Sequence, residues 1–224
     1  MQKKFKNKNK WKNAEITISK ELRDIIHGYV MSNGYIRSNG ILQVDHSRKQ
    51  KKFVEWLYNK FKPIRTSSSI KEVNRVHPGT QTKTYSVRFY TKSLLNGFHY
   101  IWYRSFKDQK DIIKYKKKLP KNIQCFFNET FISVWFAGDG TKIIGSVGAK
   151  FEVTTFTVNE RLKLKKLFLK KFNIKVKIIK SGISKKGNTQ WALKVPAQEY
   201  PKFRELITKN DLIPTIFPYK LHRK

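Results

Sequence analysis

Ile25-Ile26-His27-Gly28-Tyr29-Val30-Met31-Ser32-Asn33-Gly34 and Phe131-Ile132-Ser133-Val134-Trp135-Phe136-Ala137-Gly138-Asp139-Gly140 are the two stretches on which the fold turns. Each is apolar at helical spacing and ends in a small residue, then Asn or Asp, then Gly. From Asn33 to Asp139 is 106 residues, close to half of a 224-residue chain. A repeat at that period means that one structural unit has been used twice, and it must be recognised before any element is assigned.

The segments that follow agree in order. In the first half Ser19 is a helix N-cap with Glu21 in the first turn, where negative charge suits the helix dipole. Leu22, Ile25, Ile26, Tyr29 and Val30 form the apolar stripe, and Gly34 is the stop signal. Ser38-Asn39-Gly40 predicts a hairpin, and Val54, Leu57, Tyr58 and Phe61 predict a second helix ending before Pro63. From Thr82 the pattern alternates, with Tyr85, Val87 and Phe89 toward a core and Thr84, Ser86 and Arg88 away from it. Leu94 to Tyr103 is expected to be a third helix.

The second half repeats the plan. Asn128 caps the helix of Ile132, Trp135 and Phe136; Phe151 and Val153 alternate with Lys150, Glu152 and Thr154. Leu164, Leu167, Phe168 and Phe172 form a helical stripe. Trp191, Leu193 and Val195 alternate with Gln190, Ala192 and Lys194, and Tyr200 to Ile207 closes the half as a helix. The expected class is α+β, with each half ordered helix, two strands, helix, two strands, helix. Strands polar on one side imply antiparallel sheets with helices on the other. The expected divisions are a basic arm over 1–14, one repeat over 15–120 and a second over 121–224.

Composition narrows the function. Forty-nine Lys and Arg against 15 Asp and Glu give a net charge of +34, yet 39% of the chain is apolar and 14% aromatic. That is a folded protein with a surplus positive field, and a polyanion is what such a field accommodates. The single cysteine, Cys125, excludes an internal disulfide and a cysteine zinc site, and the five histidines lack metal-ligand spacing. No apolar run approaches the ~18 residues of a membrane span. A membrane-surface role would rest on Lys163 to Phe172 alone and leaves the polar sheet faces unexplained. The N-terminus lacks a secretory apolar core. Abundant Lys, Asn, Ile, Phe and Tyr beside five Ala suggests an AT-rich, organellar genome, and a mitochondrial or plastid location.

The polar sheet face is the expected nucleic-acid surface. It carries Thr82, Thr84, Ser86, Arg88, Gln190 and Lys194, with Arg37, Gln43, Lys150 and Glu152 on the companion strands. Hydroxyl, amide and basic side chains read base edges and hold phosphates, although the same residues are also ordinary on a solvated sheet. Lys3 to Lys12 and Trp11 make an arm suited to sequence-independent, salt-sensitive affinity.

With two such helices and this element order, the chain resembles the LAGLIDADG homing endonucleases in their single-chain, duplicated form, over roughly residues 16 to 224. The resemblance implies two αββαββα halves packed through the motif helices and two saddle-shaped sheets straddling DNA. Gly28, Ser32, Ala137 and Gly138 suit that helix interface, because a helical Gly costs ~1 kcal/mol unless close approach repays it. It also implies a metal site at each motif end. A carboxylate at a helix C-terminus is electrostatically misplaced, and a divalent cation resolves the conflict by taking carboxylate and carbonyl oxygens, here from Asp139, Gly138, Ser32 and Asn33. Mg²⁺ is the expected ion. Asn33 stands where the second acid belongs and brings no charge. Two basic residues accompany the site in the family. By context they are Lys117, before Leu119-Pro120, and Lys220, in Tyr219-Lys220-Leu221; the intervals 33 to 117 and 139 to 220 are 84 and 81 residues.

Two readings follow. One is an intron-encoded endonuclease, acting on duplex DNA as a pseudo-twofold monomer, with cleavage impaired by Asn33. The other is a family member retained for structured RNA or rRNA, as a splicing maturase or a ribosome or ribonucleoprotein component.

Overall fold

Ser19 Oγ accepts the Leu22 N–H at 3.1 Å and starts the first motif helix, α1 (Lys20–Met31). The computed structural model describes residues 18–76, 79 and 81–222, so the basic arm, Trp11 included, lies outside the described residues. The first half continues through β1 (Tyr35–Ile36), β2 (Leu42–Ser47), α2 (Lys51–Lys60), β3 (Lys71–Val76), β4 (Lys83–Tyr90) and α3 (Asn96–Trp102). A ribbon of β5 (Tyr103–Lys107) and β6 (Ile113–Lys117) leads to the second half. There α4 (Glu129–Asp139), β7 (Gly140–Lys142), β8 (Ala149–Glu152), α5 (Val158–Phe172), β9 (Lys177–Ile183), β10 (Thr189–Val195) and α6 (Tyr200–Thr208) repeat the order, and α7 (Leu212–Ile216) follows.

Both four-stranded sheets are antiparallel and share one strand order, β1-β2-β4-β3 and β7-β8-β10-β9. The expected hairpin forms at Asn39-Gly40, where Gly40 has φ +80° and the Arg37 N–H reaches Ile41 O at 2.9 Å. Helices cover one face of each sheet. Val44, Val87 and Phe89 meet Phe53 and Leu57 on one side; Phe151 and Leu193 meet Trp135, Leu164 and Phe168 on the other. Thr157 and Glu160 form a reciprocal capping box that fixes the start of α5.

The two motif helices lie side by side at the centre. A Cβ added to Gly28 would sit 2.7 Å from Phe131 O and 2.9 Å from Val134 Cβ, and one on Gly138 would collide with Ser32 Oγ. Glycine is therefore what permits the backbones to approach. The N-terminal ends are tied by Asn128, which caps α4 through Oδ1 (3.0 Å from Phe131 N) and donates Nδ2 to Asp24 Oδ2 at 2.7 Å.

Four expectations need correction. Tyr85 is 45% exposed, because β4 at that point has run past the helices that cover Val87 and Phe89. Ala192, assigned to the polar face, is fully buried, on the central strand β10 with Glu152 and Ile179 as its cross-strand neighbours. Thr82 precedes β4, which begins at Lys83. The third helix is shorter than expected, since Tyr103 turns into the β5–β6 ribbon, an element with no counterpart in the second half.

His27 occupies a dry position in α1. Trp102 Nε1 donates to its Nδ1 at 2.9 Å and the Phe126 ring stacks on it at 3.6 Å. Burial, with Arg23 adding repulsion, lowers its pKa to about 3. A histidine depressed in this way contributes stability that is complete above its ordinary pKa near 6.5 and is lost as pH falls toward 3.

Gly28→Ala should lower the unfolding free energy by about 1–3 kcal/mol in urea titration. Gly97→Ala, at a helical site with nothing within 4 Å of the new methyl, should raise it slightly. Below pH 6.5 the stability difference between the wild type and His27→Gln should shrink by about 1.4 kcal/mol per pH unit, as the wild type alone loses the contribution of the neutral imidazole.

Candidate active site and nucleic-acid face

The last carbonyls of a helix lack intrahelical donors, and both motif helices end in the interior. Here each is met by one lysine. Lys117, at the end of β6, donates to Val30 O at 2.6 Å and Ser32 O at 2.8 Å. Lys220, in a 3₁₀ turn over Pro218–Lys220, donates to Phe136 O at 2.9 Å and Ala137 O at 2.7 Å. A cation at a helix C-terminus is favourable, and each ammonium also donates to two carbonyl oxygens of that end. Burial lowers both lysines to about pKa 8, against the attraction of Asp139. The structure thus brings together three of the four residues singled out for chemistry, and it selects Lys117 from its run of lysines.

Asp139 ends α4 half-buried. Burial pushes its carboxyl up to about 6 although Lys117 and Lys220 pull the other way. Those ammonium groups are committed to carbonyl oxygens, so they act on Asp139 through space. The two motif ends are not equivalent. In α4 the Gly140 N–H returns to Phe136 O in regular helical fashion. In α1 the helix stops at Met31, and the Gly34 N–H reaches back one residue further, to Tyr29 O at 2.7 Å. Ser32 is buried with its Oγ on Tyr29 O at 3.0 Å, whereas Asn33 is exposed. Asn33 Nδ2 nevertheless lies 3.5 Å from where a Gly138 Cβ would be, so the two ends meet.

Among the described residues no three His, Cys, Asp or Glu side chains cluster as a metal cage. The oxygens at the motif ends are the Asp139 carboxylate, the Asn33 carboxamide and the carbonyls of Ser32 and Gly138. A half-buried carboxylate with no ion pair among the described residues suits a hard divalent ion, and Mg²⁺ is usually held by one or two carboxylates with substrate phosphates completing its shell. The residues present fit one such ion at Asp139; at Asn33 the amide offers oxygen without charge.

On the polar face of the first sheet the side chains are joined. Arg37 donates to Gln43 Oε1 at 3.0 Å, and Gln43 Nε2 donates to Asp45 Oδ2 at 3.2 Å. Asp45 Oδ2 also receives Arg75 at 2.6 Å and Arg88 at 3.0 Å, and Arg88 reaches Tyr90 Oη at 3.3 Å. Thr84 Oγ1 donates to Arg75 O at 3.4 Å, and Ser86 Oγ is buried without a hydrogen-bond partner among the described residues. On the second sheet Lys150 pairs across the strands with Lys194 and Lys194 with Lys177, while Gln190 is half-buried beside a bulge. Glu152 is engaged by Thr154 and by Ser181 Oγ at 3.4 Å. Sequence reasoning missed Asp45, Arg75, Tyr90 and Lys177. Alternation of Leu42, Val44 and His46 with Gln43 and Asp45 could have found the first; β3 and β9 carry no comparable pattern.

A family profile described as the LAGLIDADG DNA endonuclease family matches residues 23–203. No curated protein matches the sequence. Among solved structures, the homing endonuclease I-WcaI bound to its DNA recognition sequence is similar at a TM-score of 0.72 and 20% identity, covering 93% of this chain and 88% of that one. Mesophilic variants of the homing endonuclease I-DmoI are similar at 0.50 and 12%, covering 86% and 98%. With the motif helices, the lysine-capped ends and the two sheets already placed, the profile match over most of the length settles that the chain belongs to the LAGLIDADG DNA endonuclease family.

Proposed function

We propose that this chain, as a monomer, lays its two sheets along duplex DNA and hydrolyses one strand far faster than the other. The observation that carries this reading is the inequality of the motif ends: a half-buried carboxylate at Asp139 and a neutral, exposed amide on a differently wound end at Asn33. A divalent cation bound at Asp139, most simply Mg²⁺, would supply a water of lowered pKa and a positive charge on the scissile phosphate. Asp139 holds its negative charge above about pH 6, and its position at the meeting of the helices aims it at a phosphodiester crossing between the sheets. Lys117 and Lys220 are charged below about pH 8 and face the same point, where they stabilise charge that builds on the phosphate oxygens. The carbonyls that hold each ammonium also fix its direction, so little reorganisation is needed as charge develops. Expression in an organelle agrees with the residue usage.

A second reading, binding to structured RNA with no cleavage, is favoured by the surplus of 34 positive charges. Competition between the target DNA of the cognate intron and its transcript separates the two: preference for the transcript supports the second.

On supercoiled plasmid carrying that target, with Mg²⁺ or Mn²⁺, the product should be nicked circle. Asn33→Asp should add linear product, and Asp139→Asn should stop cutting while leaving binding in place. If Asn33→Asp cuts no target, the nuclease reading falls. The nicking rate should rise with pH as Asp139 ionises, near 6 or lower once a cation is bound, and decline above about 8 as the lysines lose their protons. Affinity for the duplex should drop ~10³-fold or more between 50 and 200 mM salt; a flat response rules out phosphate as the main contact.

A further inference from the structure

The two sheets share strand order, and up to the bulge between Gln190 and Trp191 they share register, so their polar faces can be compared position by position over the rows nearest the motif ends. Next to the centre, Tyr35, Gln43 and Tyr90 stand in one cross-strand row of the first sheet; Thr141, Lys150, Lys194 and Lys177 fill the matching row of the second. One row further, Asp45, Arg88 and Lys71 correspond to Glu152, Ala192 and Ile179. The forked donors of the first face therefore have no counterpart. None of β7 to β10 contains an arginine, whereas Arg75 and Arg88 lie on the first sheet and Arg37 at its hairpin.

The chemistry of the two faces differs accordingly. Arg88 and Asp45 leave only 18% and 17% of their side chains exposed, and the guanidinium groups of Arg75 and Arg88 are fixed by one carboxylate oxygen. A guanidinium held in one orientation can present paired donors to a guanine edge, and the amide of Gln43 offers a donor and an acceptor for adenine. The second face offers Lys150, Lys177 and Lys194, with no hydrogen bond or ion pair to any of them among the described residues. Like charges directly opposite across strands repel. Flexible ammonium groups in a row suit phosphates, which carry no sequence information directly.

We infer that the two halves divide recognition: the first saddle reads bases through Arg37, Gln43, Arg75 and Arg88 organised by Asp45, and the second grips the backbone through Lys150, Lys177 and Lys194. The inference rests on the DNA-binding reading above and adds which half carries the specificity.

Selection of the full chain on duplexes of randomised sequence tests it. The retained duplexes should show base preference in one contiguous block. Asp45→Asn should weaken discrimination in that block about tenfold or more. Arg75→Gln, at the exposed edge where folding is not at stake, should do the same at fewer positions. Lys177→Ala with Lys194→Ala should weaken binding to all sequences alike and reduce the slope of log affinity against log salt by about two, with the preference intact. Equal preference in two blocks, or a preference that survives both Asp45→Asn and Arg75→Gln, overturns the division while leaving DNA binding standing. Failure of the chain to retain duplex at low salt overturns the DNA-binding reading and this inference with it.

Discussion

Everything in the molecule depends on two helices ending together in its interior. A helix end presents carbonyls without partners and a partial negative charge, so bringing two ends together compounds an unfavourable field. Lys117 and Lys220 relieve it with two hydrogen bonds each. Both come from the final segment of a half, one from β6 and one from the last 3₁₀ turn, so neither motif end is complete until the chain of its half has been laid down. Gly28 and Gly138 then set how near the helices come. Packing and electrostatics at this one place fix the relation between the sheets, and hence the shape of the surface they offer to a ligand.

The same place is electrostatically strained. An acid raised to about pKa 6 and two lysines lowered to about 8 all carry charges that burial opposes. Between about pH 4 and 6 the native state holds a proton on Asp139 that the unfolded chain has lost, so ionising this acid costs stability as pH rises. His27 acts in the opposite sense over part of that range, because its neutral form is the buried one. A group of charges maintained against burial, where no core requires them, is what a site for a further charged species looks like.

Much of this was legible in the sequence, and for a definite reason. Duplication gives every signal two chances to appear, so the Asn39-Gly40 hairpin, the stripe of Leu164, Leu167 and Phe168, and the paired motif ends support one another although each is ordinary alone. The unduplicated parts were hidden. The β5–β6 ribbon has no second copy, and lysines at 114, 116, 117 and 118 mask its alternation. Asp45 could be assigned to a face, yet its role depends on Arg75 arriving from 30 residues away, which no local pattern records. The burial of Ala192 follows from neighbours on two other strands. The different winding of the α1 end is likewise tertiary: Ser32 is held by the Tyr29 carbonyl and by the closeness of Gly138.

Carrying both halves in one chain explains why they are unlike. In a dimer of identical subunits every substitution appears twice, so losing one motif acid would lose both, and a face could not become rich in arginine without its partner doing so. Once fused, each half is constrained only by what it must still do. The constraints that remain shared are those of the common interface, and there the halves still agree in kind: each motif helix gives one glycine to a close approach, Gly28 against Val134 and Gly138 against Ser32, a lysine meets each helix end, and the two sheets have one strand order. Where no interface enforces equality they diverge, at Asn33 against Asp139, at the forked arginines against the row of lysines, and at the ribbon that exists once. The pattern of agreement and divergence therefore separates what the fold requires from what each half does with it.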